Sequence, residues 1–111
     1  REQTEDPDTG AITLEIVDDF GMYREASHGL VSGGVGRETH TIHPDDPLSA
    51  KMTTHWTEEM IRDDIHVRTE TFSAMTATKT QFHLSARIEA YLNDELVFER
   101  DFAEEIGRDL L

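Results

Sequence analysis

The chain has 111 residues, enough for one domain with one modest core, and its hydrophobic content of 36% is low for a globular protein. Its 24 Asp and Glu residues outnumber its 10 Lys and Arg residues and give a formal net charge of −14. This charge disfavours binding to nucleic acid and to anionic membranes, because both depend on positive charge. The absence of cysteine excludes disulfides and thiolate metal sites.

The acidic surplus favours solubility or life at high salt, where self-repulsion is screened, over the alternative of a basic partner or domain. No apolar run approaches the ~18–20 residues that a membrane-spanning helix needs, and the polar segment 1–10 is unlike a signal peptide. We therefore expect a cytoplasmic protein. Because the sequence starts with Arg1 and not with Met, we expect a processed product or a piece of a longer chain.

We predict two segments, a flexible lead-in or linker over residues 1–10 and a single β domain over residues 11–111. Alternating apolar residues at Ile12, Leu14 and Ile16 predict the first strand, with one face buried. The polar and glycine residues of 18–21 predict a turn, and 22–26 a return strand.

Four glycines between residues 28 and 36 predict a loop or a bulged strand pair. A phosphate cradle is the alternative, but the spacing of the known glycine motifs is missing. Residues 37–43 alternate again and predict a strand. Pro44 and Pro47 then predict an exposed corner, because two prolines in four residues do not fit a central strand.

The remaining chain predicts further strands at 48–60, 65–71, 82–92 and 96–102. A helix over 52–64 is the alternative to the strand at 48–60. The apolar residues there repeat every 2 residues, as in a strand, more regularly than every 3.6 residues, as in a helix. Asn93 and Asp94 predict a two-residue hairpin turn, and 103–111 a short tail anchored by Ile106. The pattern indicates an all-β antiparallel β-sandwich, jelly-roll-like, with an open β-barrel as the alternative.

Catalytic and metal-binding patterns are weak. No serine lies in a nucleophile elbow, and the adjacent Ser27 and His28 would point to opposite faces of a strand. None of the paired carboxylates lies inside an apolar stretch, and the layout of a calcium loop is missing. A zinc site would need three or four converging ligands, for which the candidates are His40, His43, His55, His66, His83, Asp45 and Asp46. We predict no catalytic residue, no cofactor-binding residue and no metal ligand.

An ordered set of motifs carries a family resemblance from about Gly10 onward. The most specific pieces are Asp-Pro-Leu-Ser-Ala at 46–50 and a final hairpin with Arg-Asp-Leu at 108–110; the others are 68–71, 75–76, 82–84, 88–91 and 97–100. Together they resemble the extreme C-terminal part of the CocE/NonD hydrolases, relatives of the S15 X-Pro dipeptidyl-peptidases. The chain departs from the family at Asp64-Ile65, where a Trp is usual nearby, and at Gly107, where Pro is common.

The resemblance implies a jelly-roll-like β domain packed against an α/β-hydrolase catalytic domain in the parent chain. The catalytic triad of that family lies outside this chain, so the resemblance implies no enzyme activity for it alone. The family's β domain is longer than this chain, so we expect some of its strands to be missing. The implied role is to shape the substrate cleft or the assembly.

Two other functions stay open on the residues alone. One is a small-molecule-binding β-barrel, and the other is an interaction module that self-associates through an exposed sheet as a homodimer. Tyr91 is a candidate for bordering a groove, whereas Trp56 has the parity of a core residue. The candidate interface residues are Trp56, Tyr91, Arg100 and Arg108.

Overall fold

Seven β-strands follow one another along the chain in the computed structural model, which describes residues 1–27 and 29–107. Their bounds are β1 Glu2–Glu5, β2 Ile12–Arg24, β3 Val31–His43, β4 Asp46–Arg62, β5 Ile65–Ala77, β6 Gln81–Leu92 and β7 Glu95–Gly107. They form one antiparallel sheet in the order β1 to β7, so each strand pairs with its neighbours in sequence. The predicted antiparallel all-β fold is confirmed, as a single sheet that is consistent with a sandwich layer and is not closed into a barrel.

Short turns join most of the strands, and their residues explain their sharpness. Asn93 and Asp94 have φ angles of 49° and 68°, which both central residues of a primed turn need. The Asn93 side-chain oxygen accepts a hydrogen bond of 2.8 Å from the backbone N–H of His66, which ties this turn to β5. The predicted hairpin turn is therefore confirmed. The corner at Pro44 is also exposed, as predicted, but Pro47 lies inside β4 and not in the corner. Its position is beyond the pairs that β4 forms with β5, which begin at Lys51, so its missing N–H interrupts no pairing there.

The turn predicted over 18–21 is a bulge inside one long strand. Strand β3 pairs with β2 on both sides of it, at Asp19 with Val35 and at Met22 with Gly33. Gly21 has a φ of 66° and donates its N–H to the Asp19 carboxylate at 2.8 Å. The local turn chemistry is real, but pairing with β3 on both sides keeps the chain extended through it.

The glycine-rich segment is also a strand for much of its length, because three of its glycines lie inside β3. A Cβ at Gly36 would meet the indole ring of Trp56, and one at Gly33 would meet Met22 and the Gly21 carbonyl. Gly36 is the one residue in the described ranges that is fully buried. These glycines make room for side chains that lie flat on the sheet.

Both ends of the sheet extend beyond the predicted strands. Within the segment that we expected to be a lead-in, Glu2–Glu5 pairs with Ile12–Glu15 as the short edge strand β1. At the other edge, β7 continues to Gly107 through residues that we expected to form a tail. In both cases the neighbouring strand supplies the hydrogen-bonding partners that the local sequence pattern does not reveal.

The sheet has no second layer over it within 1–27 and 29–107, where strands contact only their sequence neighbours. No hydrophobic side chain there is fully buried. The accessible surface of the chain is 8108 Å², whereas a compact monomer of 12.6 kDa exposes ~6,200 Å². Its radius of gyration is 18.0 Å, whereas a compact chain of this length has ~13 Å. One face of the sheet therefore lacks the cover that a β domain normally has.

Replacing Gly36 with Ala tests the contact that organises the centre of the sheet. The added methyl group forces the Trp56 ring to move, so we expect a loss of about 1–3 kcal/mol in the free energy of unfolding. Urea unfolding followed by circular dichroism measures it. The matched control is Gly107→Ala, where the space is open and we expect a change within about 0.5 kcal/mol. Equal effects of the two changes would contradict the packing role of Gly36.

Candidate interaction surface

The strand register divides the side chains into two chemically different faces. Directly paired residues share a face, so Leu84, Met75, Met52, His40 and Leu14 form one row across β6 to β2. Rows of this parity make up the apolar face. Its apolar members include Ile12, Leu14, Ile16, Ile42, Met52, Trp56, Met75, Phe82, Leu84, Ile88, Phe102 and Ile106. The opposite parity carries most of the ion pairs and is called the charged face below.

Two adjoining concavities lie on the apolar face and share Met52 and Met75. One has a volume of about 520 Å³ and extends towards Leu84 and Phe102 on β6 and β7. The other, of about 550 Å³, extends the opposite way towards Leu14 on β2. Both are open to solvent, so together they form a continuous apolar depression across the sheet.

Trp56 lies on the apolar face, where its ring packs over Gly36. The ring of Phe20 stacks on it at 6.1 Å between centroids with an interplanar angle of 17°. Phe20 and Tyr23 beside it are 68% and 63% exposed. The predicted interface residue Trp56 thus has a position suited to contact with a partner, at an aromatic end of the apolar face.

Arg100 also lies on the apolar face, because it pairs with Ile88 on β6. Its guanidinium lies 4.8 Å from the centre of the Phe102 ring. In the part of the chain that the structure describes, it makes no salt bridge. Its charge is therefore available to a carboxylate on an incoming surface. The fourth predicted interface residue, Arg108, lies outside the described residues.

Tyr91 lies on the charged face, away from Trp56 and Arg100. Its ring lies under the guanidinium of Arg68 at 4.2 Å, and its hydroxyl donates a hydrogen bond of 2.8 Å to Glu89. This bond raises the pKa of the Tyr91 hydroxyl above its usual value, because ionisation would lose the donor. The structure therefore does not bring all the predicted interface residues together.

Arg87 is the centre of a cluster that sequence reasoning missed. It donates to Glu89 at 2.7 Å, to Asp101 at 3.0 Å and to Glu99. The bond from Arg87, with a smaller contribution from the Tyr91 hydroxyl, holds the pKa of Glu89 below its usual value. The same contacts raise the pKa of Arg87, first through Glu89. The alternating charges of β6 and β7 were the available signal, but their pairing depends on the register.

Three of the predicted metal-ligand candidates form pairs with single glutamates on the charged face. The imidazole to carboxylate distances are 3.1 Å for His55 and Glu70, 2.8 Å for His66 and Glu59, and 3.3 Å for His83 and Glu105. Across residues 1–27 and 29–107, no three His, Asp or Glu side chains are grouped to hold a metal ion.

The segment that carries the most specific part of the resemblance closes the connection between β3 and β4. The Ser49 hydroxyl accepts the backbone N–H of His43 at 2.8 Å, and the Asp46 carboxylate accepts the N–H of Leu48 at 3.0 Å. Both side chains cap backbone groups at the corner. This motif has a structural role, and Ser49 is not paired with an imidazole in the described chain.

Comparison with protein-family models, with curated proteins and with solved structures gives no match. Across the described residues, the chain forms no helix with the length and apolar character to cross a membrane.

The lowered pKa of Glu89 predicts a specific acid sensitivity. The ionised Glu89 carboxylate makes its full contribution to stability above the ordinary glutamate pKa of 4.5. This contribution is lost as the pH falls through the lowered pKa of the folded state. We expect Glu89→Gln to reduce stability at neutral pH and to flatten the acid-side loss. Urea midpoints measured on both sides of this range check it.

The control is Glu95→Gln, at an exposed position at the start of β7. It should leave the pH profile close to that of the parent chain. A parent-like profile for Glu89→Gln would show that the Arg87 contact has no linked effect on stability.

Proposed function

We propose that this chain is a non-catalytic β module whose role is to dock its apolar face on another protein surface. The observation that carries this proposal is the uncovered apolar face itself. The chain exposes about 1,900 Å² more than a compact monomer of its mass, and within the described residues no second layer covers the face rich in Met, Ile, Leu and Phe. A large uncovered apolar face marks an interaction site.

Docking through the face is favoured over strand addition at the edge. The free edge strand β7 carries Glu95, Glu99, Asp101, Glu104 and Glu105. Charges along an edge strand oppose pairing with another strand, because they would be brought close to its backbone and desolvated. Over β3 to β6 the apolar face carries two carboxylates, Glu38 and Glu58, and is otherwise uncharged, so it is the surface that gains from being covered.

The class of partner is supported by the sequence resemblance. We propose an accessory C-terminal β domain of a CocE/NonD, S15-like hydrolase, which docks on the α/β-hydrolase catalytic domain and shapes the substrate cleft or assembly. Ser49 and Asp46 cap backbone groups at the corner formed by 46–50, which supports a structural role for this motif in a domain that takes no part in chemistry. An apolar face over six strands is wide enough to cover the surface of such a domain.

A split-protein experiment tests this function. A CocE/NonD hydrolase domain from the same genome, expressed without its own β domain, should bind the purified chain and gain ester hydrolysis. The chain alone should show none. Leu84→Asp on the apolar face should weaken binding at least about tenfold, because it places a carboxylate in a desolvated contact.

The matched control is Ser85→Asp, which adds the same charge to the next residue, on the charged face. It should leave binding and hydrolysis close to the parent values. Enzyme-like hydrolysis by the chain alone, or equal losses in the two variants, would contradict the proposed function.

A second function is favoured by the 550 Å³ concavity, whose volume falls in the range of ~300–1,000 Å³ typical of small-molecule sites. Its lining of Ile12, Leu14, Met52 and Phe82 suits an apolar ligand. Titration with a fluorescent fatty-acid analogue should then give saturable binding at one site per chain, lost in Met52→Asp. Binding that does not saturate, or that survives this change, would exclude a built ligand site.

A further inference from the structure

We infer that, when the chain is on its own, a second copy of it covers the apolar face, so that two sheets pack face to face as a two-fold β-sandwich. This inference rests on the docking role proposed above and names the partner that the chain itself supplies. It concerns the isolated chain, since one face holds one occupant at a time.

The amount of uncovered surface matches what such a dimer requires. Each copy exposes about 1,900 Å² beyond a compact monomer of its mass, over both faces and the edges, so two copies have at most ~3,800 Å² of excess surface to bury. Permanent homodimers bury ~2,000–5,000 Å² in total, whereas a standard interface needs ~1,600 Å². The face therefore provides enough area for a stable dimer even if part of it stays open.

Two-fold symmetry and the distribution of polar residues select the orientation. In an isologous contact, the same patch serves both copies. An axis parallel to the strands, between β4 and β5, keeps each row of the face opposite the same row of the second copy. The Met52 and Met75 row then meets itself, with Glu104 at one end of it opposite Leu14 at the other. Glu38 faces Ala86 of the second copy, and Glu58 remains nearer the other end of the strands. An axis across the strands would instead bring Glu58 towards Met52.

This orientation brings two opposite charges together at the rim. Arg100 on β7 and Asp18 on β2 lie in the same row. Arg100 pairs with Ile88 on β6, and Asp18 pairs with Gly36 on β3, which pairs with Trp56 on β4; one residue of β5 pairs with both Trp56 and Ile88. The axis exchanges the β2 and β7 sides of the sheet, so Arg100 of one copy faces Asp18 of the second copy. Neither side chain makes a salt bridge within the described residues. The dimer therefore forms the pair of Arg100 and Asp18 twice, once on each side of the two-fold axis.

The centre of the face tolerates burial. The hydroxyls of Thr54 and Ser73 hydrogen-bond to each other between β4 and β5, so one of the two O–H donors keeps its acceptor when the face is covered. Met52 and Met75 beside them are unbranched and adapt to an opposing surface. Two sheets packed in this way lie about 10 Å apart and cross at about −30°, because each is twisted.

Salt decides when the dimer forms. Each copy has a formal net charge of −14, so association is opposed by long-range repulsion at low ionic strength. Screening shortens that repulsion to ~3 Å at 1 M salt, while apolar contact persists. Dimerisation should therefore strengthen with added potassium chloride, the opposite of what an interface held by ion pairs alone would show.

Sedimentation equilibrium over a wide range of protein concentration, at low and at molar potassium chloride, tests the inference. We expect twice the chain mass of 12.6 kDa at high salt. Leu84→Asp should give a monomer and Ser85→Asp should not. Arg100→Asp should weaken the dimer about tenfold through repulsion from Asp18, and the double exchange Arg100→Asp with Asp18→Arg should restore it. Both charge sites are exposed, so these variants keep the fold, which circular dichroism verifies.

A strictly monomeric chain at both salt concentrations would overturn the inference. So would a dimer that survives Leu84→Asp, or a double exchange that fails to restore association. The proposed docking role is judged separately, by the fluorescence of the dye ANS. A monomer that binds ANS through the apolar face, with binding lost in Leu84→Asp, retains that role, whereas a monomer without such binding loses it as well.

Discussion

An antiparallel sheet with one apolar face must have that face covered, and this constraint governs the rest of the molecule. Backbone hydrogen bonds hold seven strands in register, but they do not remove Met52, Met75 or Leu84 from water. In the proposed docking, an intermolecular contact supplies the free energy that would normally come from a core. Stability and function would then be coupled, because the same surface would serve both.

The two faces of the sheet differ in how they are stabilised. The charged face is stabilised within the chain, through the Arg87 cluster, the Arg68 and Tyr91 contact and the histidine–glutamate pairs. These contacts gather part of the carboxylate surplus around the few cations and keep that face hydrated. The apolar face has no comparable network of ion pairs within the described residues. This asymmetry defines which side of the sheet a partner can approach.

Most of the secondary structure could be predicted from the sequence, because a strand with one apolar face repeats at period 2. The pattern at Phe82, Leu84 and Ile88 gave β6 directly, and Asn93 and Asp94 gave its turn. The pattern failed where pairing overrides local chemistry. The segment 18–21 has turn residues but stays extended opposite β3, and the short strand β1 exists only through its pairing with β2.

The candidate site was harder to predict, since parity shows which residues share a face but not whether another layer covers them. Trp56 and Phe102 have the parity of core residues, and only the strand order shows that no second layer of strands covers them in the described chain. Of the interface candidates, Arg100 lies on the apolar face, whereas Tyr91 lies on the opposite face. Its partner Arg68 is remote in sequence, so no local pattern could have revealed the pair.

The sequential strand order has a consequence for how the surface comes into being. Each strand pairs with the one made just before it, so the sheet can grow hairpin by hairpin, on the microsecond scale of hairpin formation, without waiting for distant segments. The apolar face can then form within one chain, before the proposed partner binds. Assembly would then be an encounter between two folded surfaces, with a rate that depends on concentration and ionic strength.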